Sequence, residues 1–319
     1  MVHRVAFIGA GNVVRKRYLP AISQRTDCEV VAICSQHGRS ANEFAALYGI
    51  GSVYQDFETL LQQDDIDTVF ICTPTYLHRE MAEAAIGRKK NVFVEKPLCT
   101  NYRDSHILLQ RAVRYSKTFY VAFNNQFRDA NQWLRSKVLA GDIGDIELID
   151  FDWYRTKGHE QKAWLYDVNL AGRGVLIDLG AHLVHLALSL IPLRHQFTAY
   201  CNNVIHNPRS SSVDDTSVAM ITVDDRITIL IKLGWDMKFS TKTRVLLEVF
   251  GKEAHISNQD YQGPKTNGFG HMIQDFFRHI EANSTPDLGL VEDTMMLLDA
   301  LYRSNQTRST LSGKFRGVS

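Results

Sequence analysis

Short, almost unbroken apolar runs at 5–8, 30–34, 68–72, 91–94 and 119–123 punctuate the first part of the chain. Amphipathic segments separate them, at roughly 12–25, 38–49, 55–63, 77–89 and 102–116. Val, Ile and Phe fill the runs with little alternation, as in strands covered on both faces of a parallel sheet. This alternation of strand and helix predicts a doubly wound α/β domain over residues 1–123. Right-handed crossovers would collect the loops after the strands on one edge, where such sheets take ligands.

Beyond residue 124 the rhythm changes. A helix is predicted at 127–140 ended by Gly141, a strand at 146–156, and a helix at about 174–190 stopped by Pro192. Strands follow at 196–206, 215–224, 227–235 and 243–251, and helices at about 268–283 and 290–306. Asp224-Asp225 is a turn signal between two adjacent strands, so antiparallel pairing is expected there. Residues 124–319 are therefore expected to form an α+β domain on a mostly antiparallel sheet.

Composition narrows the picture. Apolar residues at 45% and charged residues at 22% are ordinary for a globular protein. A formal net charge of +1 gives no reason to expect nucleic acid or an anionic membrane as partner. The longest apolar stretch, 183–193, is interrupted by His185 and is shorter than a membrane span. Met1-Val2-His3-Arg4 leads straight into a strand pattern, so no signal peptide is expected. Five cysteines (28, 34, 72, 99 and 201) form no CxxC pair, which points to reduced thiols and a cytoplasmic location.

Candidate chemistry begins at the first strand end. Gly9-Ala10-Gly11-Asn12-Val13-Val14 reads GxGxxV: a strand enters it and a helix leaves it, as in a dinucleotide-binding (Rossmann) turn. Gly9 permits the tight turn, and Gly11 lets the backbone at Asn12 and Val13 approach a pyrophosphate. Val14 replaces the third glycine and gives up its close helix–strand packing. Arg15, Lys16 and Arg17 add positive charge near the helix start. After the second strand, Ser35 stands about where NAD-specific sites place a carboxylate, and Arg39 offers a cation. Two charges about 4 Å apart near a surface interact by ~4 kcal/mol. NADP(H) is therefore favoured over NAD(H), with the plain alternative that Arg39 is a solvated residue at a helix start. Thr73-Pro74 and His78 lie in the loop after the 68–72 run, placed to meet the nicotinamide half of the cofactor.

Glu95-Lys96-Pro97 follows the buried 91–94 run directly, and Asp178 and His182 lie four residues apart on a predicted helix. An ammonium group beside a carbonyl oxygen stabilises developing negative charge. An imidazole moves protons near neutral pH, and a carboxylate orients it. Lys96, Asp178 and His182 are thus the candidate catalytic set, with Glu95 placed to hold Lys96 or a cofactor hydroxyl. His182 and His185 are spaced too weakly for a metal site, and no cysteine cluster or HExxH motif accompanies them. No metal is expected. A GxSxG elbow is also absent, which removes the case for a serine hydrolase.

Taken together, GAGNVV at 9–14, TPTYLH at 73–78, VEKPLCTN at 94–101, GRGVLIDLGAHLVHLAL at 172–188 and EDTMMLLDALYRS at 292–304 resemble the Gfo/Idh/MocA oxidoreductases. That group includes glucose–fructose oxidoreductase, inositol dehydrogenases and sugar ketoreductases. The resemblance implies a Rossmann domain followed by a domain with a large open sheet, through which members form dimers or tetramers. It matches the family's catalytic lysine with Lys96 and its Asp/His pair with Asp178 and His182, and implies a cis Lys96–Pro97 bond. Asn124 matches an asparagine expected at the cofactor, while Asn125 and Gln126 replace two arginines common in the family.

For the substrate, the 151–157 segment alternates polar and aromatic residues. The resemblance places Arg155, Lys157 and Trp164 at the pocket, with Tyr302 within reach of cofactor or pocket. Aromatic faces beside hydrogen-bonding groups suit a polyhydroxylated ring. The same alternation also describes an ordinary half-exposed sheet. The resulting expectation is an NAD(P)-dependent oxidoreductase acting on a secondary alcohol or ketone of a sugar, amino sugar or cyclitol. The alternative is a nucleotide-binding regulator or sensor of the same fold that performs no turnover.

Overall fold

A computed structural model describes residues 2–36, 38–155, 163–206, 212–235, 237 and 243–316. The chain forms two compact units that interleave in sequence: 1–99, 103–124 and 268–288 make the first, and 100–102, 125–267 and 289–319 the second.

The first unit is built on six parallel strands: β1 (His3–Ile8), β2 (Cys28–Cys34), β3 (Ser52–Tyr54), β4 (Thr68–Ile71), β5 (Asn91–Glu95) and β6 (Phe119–Ala122). Their order is β3-β2-β1-β4-β5-β6, so the winding reverses between β1 and β4. Val5, Phe7, Val69, Phe70, Val92 and Phe93 are fully buried, which is why these runs are apolar without alternation. Only β3 escaped the pattern. It is a three-residue edge strand, half paired and largely exposed, so no hydrophobic face marks it.

The helix Phe269–Glu281 corrects the expected division of the chain, which had placed it in the second domain. It belongs to the first unit because Phe276 packs edge-on against Phe70 and Phe93, at centroid distances of 5.4 and 5.2 Å. Tyr120 reinforces this by donating its hydroxyl to Asp275 at 2.9 Å.

The second unit holds seven strands: β7 (Ile146–Tyr154), β8 (Gln196–Val204), β9 (Thr216–Val223), β10 (Ile227–Gly234), β11 (Arg244–Gly251), β12 (His255–Ser257) and β13 (Leu311–Lys314). Their order is β12-β11-β7-β10-β9-β8-β13, antiparallel except for the β7–β10 pair. The two strands the sequence pattern omitted, β12 and β13, are again the edges. Asp224 and Asp225 both adopt positive φ (50° and 55°), and Arg226 donates back to Val223 at 3.1 Å. That is a type I′ turn, the geometry that matches strand twist.

One sheet face, lined by Ile149, Phe151, Ile221, Ile229, Ile231 and Leu247, is buried. Every residue of the helix Ala181–Leu190 is buried too, which explains a helix apolar on all sides. By length and composition the stretch Val168–Leu190 is apolar enough to cross a membrane, which the sequence reading did not anticipate, but 89% of its apolar window is buried inside the protein. The predicted single helix at 174–190 is in fact composite. A π-helical turn, Leu176–Gly180, precedes the α-helix.

Candidate functional site

In the first unit the loops after β1, β4 and β5 share the carboxyl edge of the sheet, beside the β1/β4 reversal where doubly wound sheets bind ligands. Gly9 takes φ +106°, and a Cβ there would lie 2.7 Å from the Cys72 carbonyl oxygen, so the turn passes against the β4 loop as only glycine can. A Cβ on Gly11 would meet nothing within 4 Å, leaving its backbone open to a close ligand. Gly11 and Asn12 are exposed and Val13 is half-buried. These features fit a dinucleotide pyrophosphate. Val14, in place of the third glycine, is fully buried, and the helix opens with a π-turn, Val14–Tyr18. π-Turns concentrate at functional sites, and the second one in this chain carries Asp178.

Tyr18 is the residue the sequence reading missed. It is fully buried among Phe70, Phe93 and Phe269, and its hydroxyl donates to one oxygen of Glu95. Burial first, and the Glu95 charge second, hold its pKa well above the ordinary tyrosine value, so it remains a donor. The other Glu95 oxygen accepts the Lys96 backbone N–H at 3.1 Å. Glu95 thus fixes the backbone from which the half-buried Lys96 projects, and the Lys96–Pro97 peptide bond is cis. The available signal was a tyrosine four residues after Val14 on a buried stripe, where a hydroxyl needs a partner.

His78 is buried. It begins the helix His78–Gly87, but its ring is only 1% exposed. Nδ1 faces the Pro97 carbonyl at 3.0 Å and Nε2 the Thr73 carbonyl at 2.9 Å. Its side chain therefore lies between the β4 loop and the turn after Lys96, where a neutral ring donates its one N–H to one of the two carbonyls. Desolvation lowers its pKa. The Thr73 hydroxyl lies 3.4 Å from Met81 Sδ, and Pro74 leads into the short 3₁₀ turn Thr75–Leu77. The Ser35 N–H is taken up by the Tyr54 carbonyl at 3.0 Å. Arg39 opens the helix Arg39–Tyr48 with its side chain 90% exposed, 3.3 Å from Glu43. Asn124, half-buried, starts the 3₁₀ turn Asn124–Phe127.

In the second unit Asp178 lies within the π-turn and is half-buried, while His182 is buried on the first turn of the α-helix. The imidazole tilts against Trp153 of β7, with centroids 5.8 Å apart. Arg155 follows that strand directly, held through its backbone by Gly234 and Met237 at 2.9 and 2.8 Å. Trp164 sits half-buried in the 3₁₀ turn Ala163–Tyr166, and Lys157 lies outside the described residues. Tyr302 is 4% exposed, and its hydroxyl accepts the Ile177 N–H at 3.1 Å. No group of three metal-ligating side chains occurs among the described residues.

His185, one turn after His182, is 4% exposed. Burial, with Arg194 adding to it, pulls its pKa from 6.5 down to about 3. The unfolded chain binds this proton more readily than the folded one. Its stabilising contribution is therefore complete above pH 6.5 and disappears as pH falls toward about 3. At about 1.4 kcal/mol per pKa unit, ~2–3 kcal/mol should be lost by roughly pH 4.5. Urea midpoints measured across that window should fall less steeply in His185→Leu than in the parent.

Comparison with known proteins places this geometry. The family model described as "Oxidoreductase family, NAD-binding Rossmann fold" matches residues 3–123, and the GFO/IDH/MocA C-terminal domain matches residues 131–257. D-glucoside 3-dehydrogenase of Escherichia coli is 30% identical over 188 residues, 59% of this chain and 54% of that one. A dTDP-3,4-didehydro-2,6-dideoxy-alpha-D-glucose 3-reductase of Actinomadura kijaniata is 25% identical over 305 residues, 89% of each chain. The chain spans about half the length of the first curated relatives it matches. In fold it is similar to scyllo-inositol dehydrogenase from Lactobacillus casei, solved with NAD(H) and scyllo-inositol. That likeness has a TM-score of 0.85 at 17% identity and covers 98% of this chain and 99% of that one. With both of its domains matched, the chain belongs to the Gfo/Idh/MocA family of oxidoreductases with an NAD-binding Rossmann fold.

Proposed function

We propose that this protein is an NAD(P)-dependent dehydrogenase or ketoreductase acting on a secondary alcohol or ketone of a sugar, amino sugar or cyclitol. The observation that carries this reading is the shared sheet edge. The Gly9 turn, the Thr73 loop and Lys96 follow neighbouring strands there, with Lys96 set on a backbone that Tyr18 and Glu95 anchor. A nicotinamide cofactor held along that edge by the Gly9–Val13 turn would supply the hydride acceptor or donor. Lys96 polarises the substrate oxygen. His182 takes or returns the hydroxyl proton, and Asp178 orients the imidazole or binds a neighbouring hydroxyl. Arg155 and Trp164 contribute to substrate binding. The relatives named above act on glycosides and nucleotide-linked deoxysugars, which supports a polyhydroxylated substrate.

The test is a panel of sugars, amino sugars and inositols with either nicotinamide cofactor, followed by nicotinamide absorbance. Turnover of at least one member is expected, and His182→Ala should lower it at least ~10²-fold. Cofactor binding with no turnover across the panel would identify a sensor instead.

NADP(H) is the preferred cofactor in this reading, because no carboxylate stands at Ser35 and the exposed Arg39 follows β2. Arg39→Ala should raise the KM for NADPH about tenfold or more and leave that for NADH nearly unchanged. Equal Michaelis constants for both cofactors in the parent would refute the preference. Five buried, free cysteines suit a cytoplasmic setting. Tyr200, Val218 and Met220, 40–51% exposed on adjacent strands of the second sheet, suit a homodimer or homotetramer formed through that face.

A further inference from the structure

The helix that carries Asp178 and His182 begins with backbone donors satisfied from outside the helix. The opening N–H groups of any helix have no partner within it. Here Gly174 N–H donates to Asp214 Oδ1 at 3.1 Å and Leu176 N–H to Asp214 Oδ2 at 3.0 Å. Val175 N–H donates to the Asp214 main-chain oxygen at 2.7 Å, and Ile177 N–H to the Tyr302 hydroxyl at 3.1 Å. The next N–H, that of Asp178, makes an in-helix bond, to Gly174 at 3.1 Å. Two residues, 38–40 and 125 positions away from the donors they meet, thus cap the whole opening turn.

We infer that Asp214 and Tyr302 are positioning residues for the Asp178–His182 pair, fixing the opening turn from which both side chains project. The inference rests on the proposed function for its catalytic consequence and on geometry for the cap itself.

Burial, support and fit favour it. Asp214 and Tyr302 are buried, 7% and 4% exposed, and lie 3.4 Å apart through the Tyr302 hydroxyl and Asp214 Oδ2. Their supports are rigid: the neighbouring Asp215 is tied by its backbone to Val204 and Trp235 at the ends of β8 and β10. Tyr302 stands on the long helix Leu288–Thr307 with the Arg173 guanidinium 4.4 Å over its ring. The fit also leaves no slack, since a Cβ on Gly174 would lie 1.9 Å from the Asp214 carbonyl oxygen. The turn so held is π-helical, a minority winding that persists where its surroundings impose it. A carboxylate at a helix N-terminus also meets the positive end of the helix dipole.

Tyr302→Phe removes the Ile177 acceptor and keeps the ring, and Asp214→Asn keeps shape and one acceptor oxygen. Both are read in the full chain by amide hydrogen exchange at residues 175–178 and by steady-state kinetics. Exchange there should quicken about tenfold or more. The kcat should fall about 10- to 100-fold with the cofactor KM unchanged, the signature of a displaced catalytic group. His182→Ala should lower kcat without altering exchange at these amides, separating loss of the group from loss of its placement. Parental exchange in both variants, or faster exchange with parental kcat, overturns the inference. If the parent turns over nothing in the panel, the proposed function fails, while exchange still decides whether the cap exists.

Discussion

Lys96→Met is expected to lower kcat by 10²- to 10³-fold while the protein stays folded and still binds nucleotide. The reason lies in the division of labour along β5. Its residues Val92, Phe93 and Val94 are fully buried and hold the sheet together, whereas Lys96 follows the strand and is half-buried. Methionine keeps most of the aliphatic length and removes the ammonium charge with its N–H donors. The Glu95 contact to the residue-96 backbone N–H survives the substitution, as does the Tyr18–Glu95 hydrogen bond. The measurement pairs steady-state kinetics with a thermal melt and a nucleotide titration. Near-parental kcat in a folded variant would remove Lys96 from the chemistry. Lys96→Arg should recover only part of the rate, because a planar guanidinium does not reproduce a compact ammonium point charge.

The second large effect concerns stability. Asp293→Ala should destabilise the protein by about 3–5 kcal/mol, read from denaturant unfolding. Arg194 and Asp293 are each 5% exposed and pair at 2.7 and 3.0 Å through two guanidinium nitrogens. Arg194 also donates to the Leu188 and Ile191 carbonyls at 3.3 and 3.0 Å, closing the C-terminal end of the helix that begins near His182. Removing the carboxylate leaves that guanidinium buried against the Leu188 and Ile191 carbonyls and the Phe315 ring, with its charge uncompensated by them. Replacing both partners, as in Arg194→Leu with Asp293→Leu, should recover much of the loss, since the cost comes from the stranded charge. A single-mutant loss below ~1 kcal/mol would show that solvent reaches the pair.

Much of the architecture was legible because burial writes itself into composition. Central strands such as Val69–Ile71 and Val92–Val94 are covered on both faces and read as apolar runs, and the Asp224-Asp225 turn has a direct sequence signature. Edge strands such as Ser52–Tyr54 and Leu311–Lys314 are paired on one side only and carry no such mark. The site divides the same way. Gly9 and Gly11 are legible because a tight turn and a close approach require glycine there. Tyr18 and Asp214 look like an ordinary helical aromatic and a loop acid, because their partners, Glu95 and residues 174–176, are distant in sequence. The hydrogen-bond partners of His78 and Tyr302 were not legible, since a polar atom's partner is chosen by packing.

From its residues alone this chain specifies two sheets, a glycine turn at a strand end, and the lysine, aspartate and histidine suited to carbonyl–alcohol chemistry. These follow from local rules: side-chain periodicity, backbone permissiveness and intrinsic acidity. The folded structure decided which buried polar atoms meet, that Phe269–Glu281 returns to the first unit, and that the segment bearing Asp178 winds as a π-turn. Those outcomes depend on long-range hydrogen bonds and shape complementarity, which no window along the chain contains.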